Sequence, residues 1–195
     1  MRFSRFSSAP FYLGIGLLIL FFGCQSAPEP MPKPKALWAM SYPEPVPVGH
    51  QTQWFSMSYN QAALLTPLSN GRFVWHYPEL KADVWVTYTP LDLHDPEAWK
   101  QAVLDVEDKV ALHQDHASGI LVQPYENPQT SVYGAIYEIQ GNAASQAHFY
   151  LTDKRKHLLH GALYFRAKPQ YDSLMPAAQY VLRDLRDLTE SLIWK

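Results

Sequence analysis

The residues able to carry chemistry in this 195-residue chain are few: one cysteine, Cys24, and eight histidines. A single thiol excludes an internal disulfide and a Cys-rich zinc or iron–sulfur centre. His113 and His116 stand three apart with Asp115 between them. On a helix end that spacing lets two imidazoles face one way, as in zinc and copper sites. Spacing supplies no third ligand, and plain surface placement is the competing reading; no cofactor is implied. His157 and His160 differ by an odd number in a strand-like run, so they should point to opposite faces. His148, on the preceding run, could approach one of them. The motifs G-x-S-x-G, H-E-x-x-H and G-x-x-x-x-G-K do not occur, so the nucleophile, metalloprotease and phosphate-loop readings lack their usual scaffolds. Asp105, Glu107 and Asp108 read as the solvated side of a helix, and Ser118, Gly119 and Ser131 as loop residues.

Aromatics are the other resource. Trp54, Phe55, Tyr59, Trp75, Tyr77, Trp85, Tyr88, Tyr133 and Tyr137 could form a sugar- or peptide-binding platform. In a small domain such residues more often build the core, and a protein-docking patch is the better functional alternative.

The elements that must position these groups begin after an address. Arg2 and Arg5 precede an uncharged apolar run, 11–22, which ends in Gly23-Cys24. The run is short of the roughly 20 residues a membrane span needs but suits a signal sequence. A small residue followed by Cys at that point resembles the bacterial lipoprotein signal, in which the Cys is acylated and becomes the new N-terminus. An uncleaved anchor and ordinary cleavage that leaves a free thiol are the alternatives. Residues 1–23 are thus expected to be a signal peptide and 24–35 a lipidated tether. Pro28, Pro30, Pro32 and Pro34 should hold that tether extended. Residues 36–195 are expected to form one domain.

Within that domain 37–42, 53–59, 72–77 and 82–89 read as strands. Val84, Val86 and Tyr88 should face one side, with Trp85 and Thr87 on the other. Asn70-Gly71 is a turn signal, and Pro43, Pro45 and Pro47 mark an edge or loop. A helix is predicted over 95–116, capped by Asp95 with Pro96 at its first position. Its apolar face would comprise Trp99, Ala102, Val103, Val106, Val110 and His113. Gly119 would stand near its end. Three runs, 132–141, 146–153 and 157–167, have connections so short that they must form an antiparallel meander. A terminal helix, capped at Asp172-Ser173 with Pro176 in its first turn, carries an apolar stripe from Leu174 to Leu192. Arg183, Asp184, Arg186, Asp187 and Glu190 should be its wet side. The fold class is therefore α+β, a mostly antiparallel sheet covered by two main helices. The element order is like that of the Mog1/PsbP-like fold, an analogy that carries no function.

Charge narrows the partners. Lys and Arg total 16 against 18 Asp and Glu, and aromatics make up 14%. That composition is not that of a disordered chain or of a nucleic-acid binder with a broad basic surface. Removing 23 of 195 residues leaves 172. Taking Arg2 and Arg5 from the 16 basic residues leaves 14 against 18, a formal −4. Membrane attachment would then rest on the N-terminal lipid rather than a polybasic patch.

The segment from Tyr133 to Lys195 resembles the gliding-motility lipoprotein family GldD of Bacteroidetes. The resemblance is carried by GAIYEIQGNAAS at 134–145, Tyr150-Leu151-Thr152-Asp153 and HLLHGALYF at 157–165. Pro169, Asp172-Ser173, Pro176 and the terminal Ile193-Trp194-Lys195 continue it. PKPKALWAMSYPE at 32–44 and WHYPELKADVWVTY at 75–88 extend it upstream, whereas QAALLTPLSNG, Phe21 and Phe22 depart from it. The resemblance implies a non-enzymatic envelope component that supports gliding and the associated type 9 secretion, with other envelope proteins as partners. Gln25 after Cys24 favours the outer membrane, facing the periplasm, over the inner membrane. The alternative function is a binding module for a peptide, lipid or glycan, using a cleft between the sheet and the 95–116 helix.

Overall fold

The computed structural model describes residues 41–168 and 170–195. The expected signal peptide, Cys24 and the expected tether lie outside the described residues, as do Pro169 and most of the strand expected over 37–42; residues 41–46 form no strand. The chain then runs through β1 (Pro47–Gln51), β2 (Phe55–Asn60), β3 (Leu64–Pro67), β4 (Arg72–Tyr77) and β5 (Ala82–Pro90). Helix α1 (Ala98–Ala111) and a 3-10 turn (Gln114–His116) lead to β6 (Ala117–Asn127), β7 (Val132–Gly141), β8 (Ser145–Thr152) and β9 (His157–Phe165). Helix α2 (Tyr171–Ser191) and the two-residue β10 (Ile193–Trp194) close the chain.

Seven strands form one sheet in the order β3-β4-β5-β9-β8-β7-β6, with antiparallel neighbours throughout. The expected meander is its β7–β8–β9 portion. Alternation decides the two faces. Val84, Val86, Tyr88, Ile136, Phe149, Leu159 and Leu163 enter one core with the α2 residues Val181, Leu182, Leu185 and Leu188. The opposite face is covered by α1, whose Val110 packs with Ala135 and Tyr137. A second, three-stranded sheet, β1-β2-β10, adds Phe55 and Met57 of β2 to the α2 core. The fold is α+β, a mostly antiparallel sheet covered by two helices; the Mog1/PsbP comparison stays an analogy of element order.

Several local expectations change. Helix α1 starts at Ala98, not after an Asp95 cap. The Asp95 carboxylate accepts the Glu97 N–H at 2.9 Å, which makes a tight turn ahead of the helix. The helix also ends before His113, because residues 117–127 are drawn into β6, where they pair with β7. Ser118 and Gly119 are therefore strand residues, beside a register shift between Ala117 and Gly119. Helix α2 begins one residue before the expected cap, and its Tyr171 N–H is held by Asn142 Oδ1 at 2.9 Å. Pro176 consequently falls in the second turn. Asp184 is buried, not wet. Other readings survive: Asn70 and Gly71 both have positive φ, 59° and 70°, in the β3–β4 hairpin.

Gly134 shows how closely the strands approach. A Cβ built there would stand 2.0 Å from the Tyr150 carbonyl oxygen on β8, a backbone atom that cannot swing away. Gly134→Ala should lower stability by about 1–3 kcal/mol through forced backbone displacement, measured by urea unfolding. A loss within error would show that β7 and β8 are less closely apposed.

Candidate functional site

Two polar clusters are buried, one on each face of the large sheet. On the α1 face, strand parity places His148 of β8 and His160 of β9 together, since His148 pairs with Ala162 and Tyr150 with His160. His113, just past α1, brings its Nε2 to 3.2 Å from His148 Nε2. Burial, with His113, His160 and Lys109 nearby, pushes His148 down to about 4. Burial and then Lys109 hold His160 at about 4. Burial, then His116, also lowers His113. At neutral pH these rings are therefore uncharged, and one Nε2–H donates to the other ring. Tyr137 donates to Glu107 of α1 at 2.9 Å in the same layer. His113 thus turns inward to His148, while His116 is exposed on the 3-10 turn. Among the described residues no group of three or more His, Cys, Asp or Glu side chains is placed to hold a metal ion. His157 faces the other way, 2.8 Å from the Tyr88 hydroxyl, and stacks on Trp194.

The aromatic candidates mostly serve the core. Phe55, Trp75, Tyr77, Tyr88 and Tyr137 are buried, Trp54 stacks on Tyr88, and Tyr59 stacks on Trp75. Tyr133 lies under the Lys154 ammonium, 4.0 Å from the ring centroid. Trp85 is the exception, 47% exposed on the α1 face of the sheet.

The second cluster joins three elements through one carboxylate. Asp184 lies three residues after Val181 and four before Leu188, on the buried stripe of α2. Its Oδ2 accepts the Asn60 Nδ2–H of β2 at 2.9 Å and the Tyr77 O–H of β4 at 2.9 Å. Asn60 Nδ2 also donates to the Tyr180 hydroxyl at 2.8 Å, while its Oδ1 receives the Ala62 N–H. The other carboxylate oxygen, Oδ1, is buried and has no hydrogen-bond partner among the described residues. Burial raises Asp184 above the ordinary carboxylate range; the Asn60 and Tyr77 hydrogen bonds and Arg183 oppose the rise, and Asp187 adds to it. Burial and the adjoining Asp184 hold the Tyr77 phenol well above its usual value.

Four clefts lined by described residues lie beside α2. One, of about 340 Å³, has Asp184, Asn60 and Tyr59 on its wall. A second, of about 480 Å³, lies on the far side of the Tyr77–Tyr180 pair, beside Tyr42. On the face where a cleft between the sheet and the 95–116 helix is expected, Val103, Val106 and Val110 are buried, and Val110 packs on Ala135 and Tyr137. Sequence reasoning missed Asp184 because its flanks, Arg183 and Arg186, read as wet. Its three- and four-residue spacing from Val181 and Leu188 was the available signal.

Ionisation of the two clusters makes stability depend on pH in opposite directions. The folded-state values of His148 and His160 lie below the free value of about 6.5, so the unfolded chain takes up protons first. Stability present above about pH 6.5 should fall as pH drops towards 4. His148→Gln should flatten that slope in chemical unfolding, and an unchanged slope would contradict the assignment. Asp184 has the opposite sign. Its raised value means that stability present below the free carboxyl value of about 3.9 is lost as pH rises through the folded one. Asp184→Asn should therefore gain on the native protein as pH rises, in the same unfolding measurement. Asp184→Ala should cost about 1–3 kcal/mol by stranding Asn60 and Tyr77.

Among the described residues no helix is long and apolar enough to cross a membrane. No curated protein matches the chain. The model of one protein family, described as gliding motility lipoprotein GldD, matches residues 27–194. That match takes in every strand from β1 to β10 and both helices, and leaves out residues 1–26 and Lys195. The chain belongs to the GldD family of gliding motility lipoproteins.

Proposed function

We propose that the protein is a non-enzymatic, lipid-anchored subunit of the envelope apparatus for gliding and the associated type 9 secretion. Family membership itself implies a gliding-motility role and lipid attachment to the envelope. The observation that carries the finer reading is Gly23-Cys24, placed directly after an uncharged apolar run and directly before a proline-rich stretch. Acylation of Cys24 gives attachment that scales with chain number. Each buried methylene contributes about 0.8 kcal/mol, and stable anchoring takes two signals. From there, eleven residues at roughly 3.1 Å each could hold the domain about 30 Å from the bilayer. Gln25 after Cys24, which resembles an outer-membrane sorting signal, supports an anchor in the outer membrane with the domain in the periplasm.

The domain's own chemistry supports docking over catalysis. Its buried histidines pair with one another or with Tyr88, and its buried aspartate ties α2 to β2 and β4. These ionisable groups, set apart by their environment, are engaged in holding layers together. Other gliding and secretion proteins of the envelope are the partners that such an anchored module would meet.

Cys24→Ala should move the protein from the detergent phase to the aqueous phase on cloud-point partition and should abolish gliding. Crosslinking of the native protein in intact cells should capture envelope proteins of the gliding and secretion apparatus. Unchanged partition and motility in the variant would overturn the anchored-subunit reading.

A further inference from the structure

Three carboxylates of α2, Asp184, Asp187 and Glu190, line the 340 Å³ cleft against Tyr59, Pro45 and Pro47. Their three-residue steps keep them on one side of the helix. Asp184 is 3% exposed and has one oxygen without a partner among the described residues, whereas Asp187 and Glu190 open to solvent. No ion pair among the described residues reaches any of the three. The arginines of the same helix make their direct contacts elsewhere, although the Arg183 charge still acts on Asp184. Arg183 lies over the Tyr180 ring at 5.2 Å, and Arg186 Nε donates to Gln123 at 2.9 Å.

A buried carboxylate with an idle oxygen, continued outward by two further acids, is an arrangement suited to a cation. We infer that this cleft receives an arginine side chain of a partner protein, and the inference rests on the reading of the domain as a docking subunit. Three features select guanidinium. From Asp184 to Glu190 the helix rises about 9 Å, too far for one metal ion to gather all three carboxylates. The cleft also sets an aromatic ring and two prolines beside the acids, and a planar, weakly hydrated guanidinium can lie flat on an aromatic face, whereas an ammonium meets it as a compact point charge. Its flat fork meets carboxylates through two parallel N–H bonds, which adds geometry to charge. The extended stem of the arginine would lie along Pro45 and Pro47 while its head faced the α2 acids.

The test uses full-length lipidated protein in detergent micelles, observed by amide NMR, with Nα-acetylarginine amide as the probe. Saturable shifts are expected at residues 58–60 and 187–191, with a Kd of about 1 mM for a ligand of this size. Nα-acetyllysine amide should bind more weakly, and calcium chloride should leave these amides in place. The double variant Asp187→Asn, Glu190→Gln changes exposed positions only, so the remaining spectrum should be retained while arginine affinity falls about tenfold or more. Absence of saturable shifts, equal affinity in the double variant, or a stronger response to calcium would overturn the assignment. Failure of the arginine probe while Cys24→Ala still releases the protein and stops gliding would remove the cleft and leave the subunit reading standing.

Discussion

The carboxyl group of Asp184 is the constraint on which the arrangement of layers depends. It is buried in the middle of a 21-residue helix, where a charge is costly unless donors surround it. The donors come from separate parts of the chain, Asn60 at the end of β2 and Tyr77 at the end of β4. Helix α2 can therefore take one rotation and one height against both sheets. Apolar packing alone, from Leu182, Leu185 and Leu188, would tolerate sliding; two hydrogen bonds to one oxygen do not. The same demand explains Asn60, whose amide serves Asp184, Tyr180 and the Ala62 N–H together.

The C-terminal residues reinforce that seat. β10 lies beside β2, with Trp194 opposite Phe55, and the Trp194 indole stacks on His157 at 4.9 Å while donating to the Ser131 carbonyl. His157 in turn meets Tyr88 and the Lys195 carbonyl. The Ile193-Trp194-Lys195 ending, which resembles that of the family, thus acts mechanically and fastens the small sheet beside α2. Across the large sheet, the neutral His113–His148 pair does the equivalent work for α1. One face is closed by a carboxylate with too few donors and the other by imidazoles kept uncharged.

What was legible in the sequence follows the strength of the local signal. Alternation in 82–89 revealed both the strand and its two faces, and the short links around 141–145 and 153–156 revealed the meander. The positive φ at Asn70 and Gly71 was readable from the dipeptide alone. β1 and β3 were not, because Pro47 and Pro67 break the pattern and both strands lie at sheet edges, where few contacts reward alternation. β6 was hidden for a similar reason. It is a half-exposed edge strand containing Gly119 and Pro124, and its backbone pairs with β7. The polar clusters needed tertiary facts. Parity put His148 and His160 on one face, but the arrival of His113 depends on α1 stopping short for β6. Asp184 had the correct helical phase and the wrong neighbours in sequence.

An anchored module needs a surface that a partner can recognise, and here the structure offers acidity with a buried origin. Asp184 is, on this account, an acid held in place without its full complement of hydrogen-bond donors. A carbon-13 NMR titration of the Asp184 carboxyl carbon in the folded protein tests that claim most directly. The account predicts that this carbon titrates above the ordinary carboxylate value of about 3.9. Titration at or below that value would show a carboxylate already satisfied by Asn60 and Tyr77, and would contradict the shortage of donors assigned to Asp184.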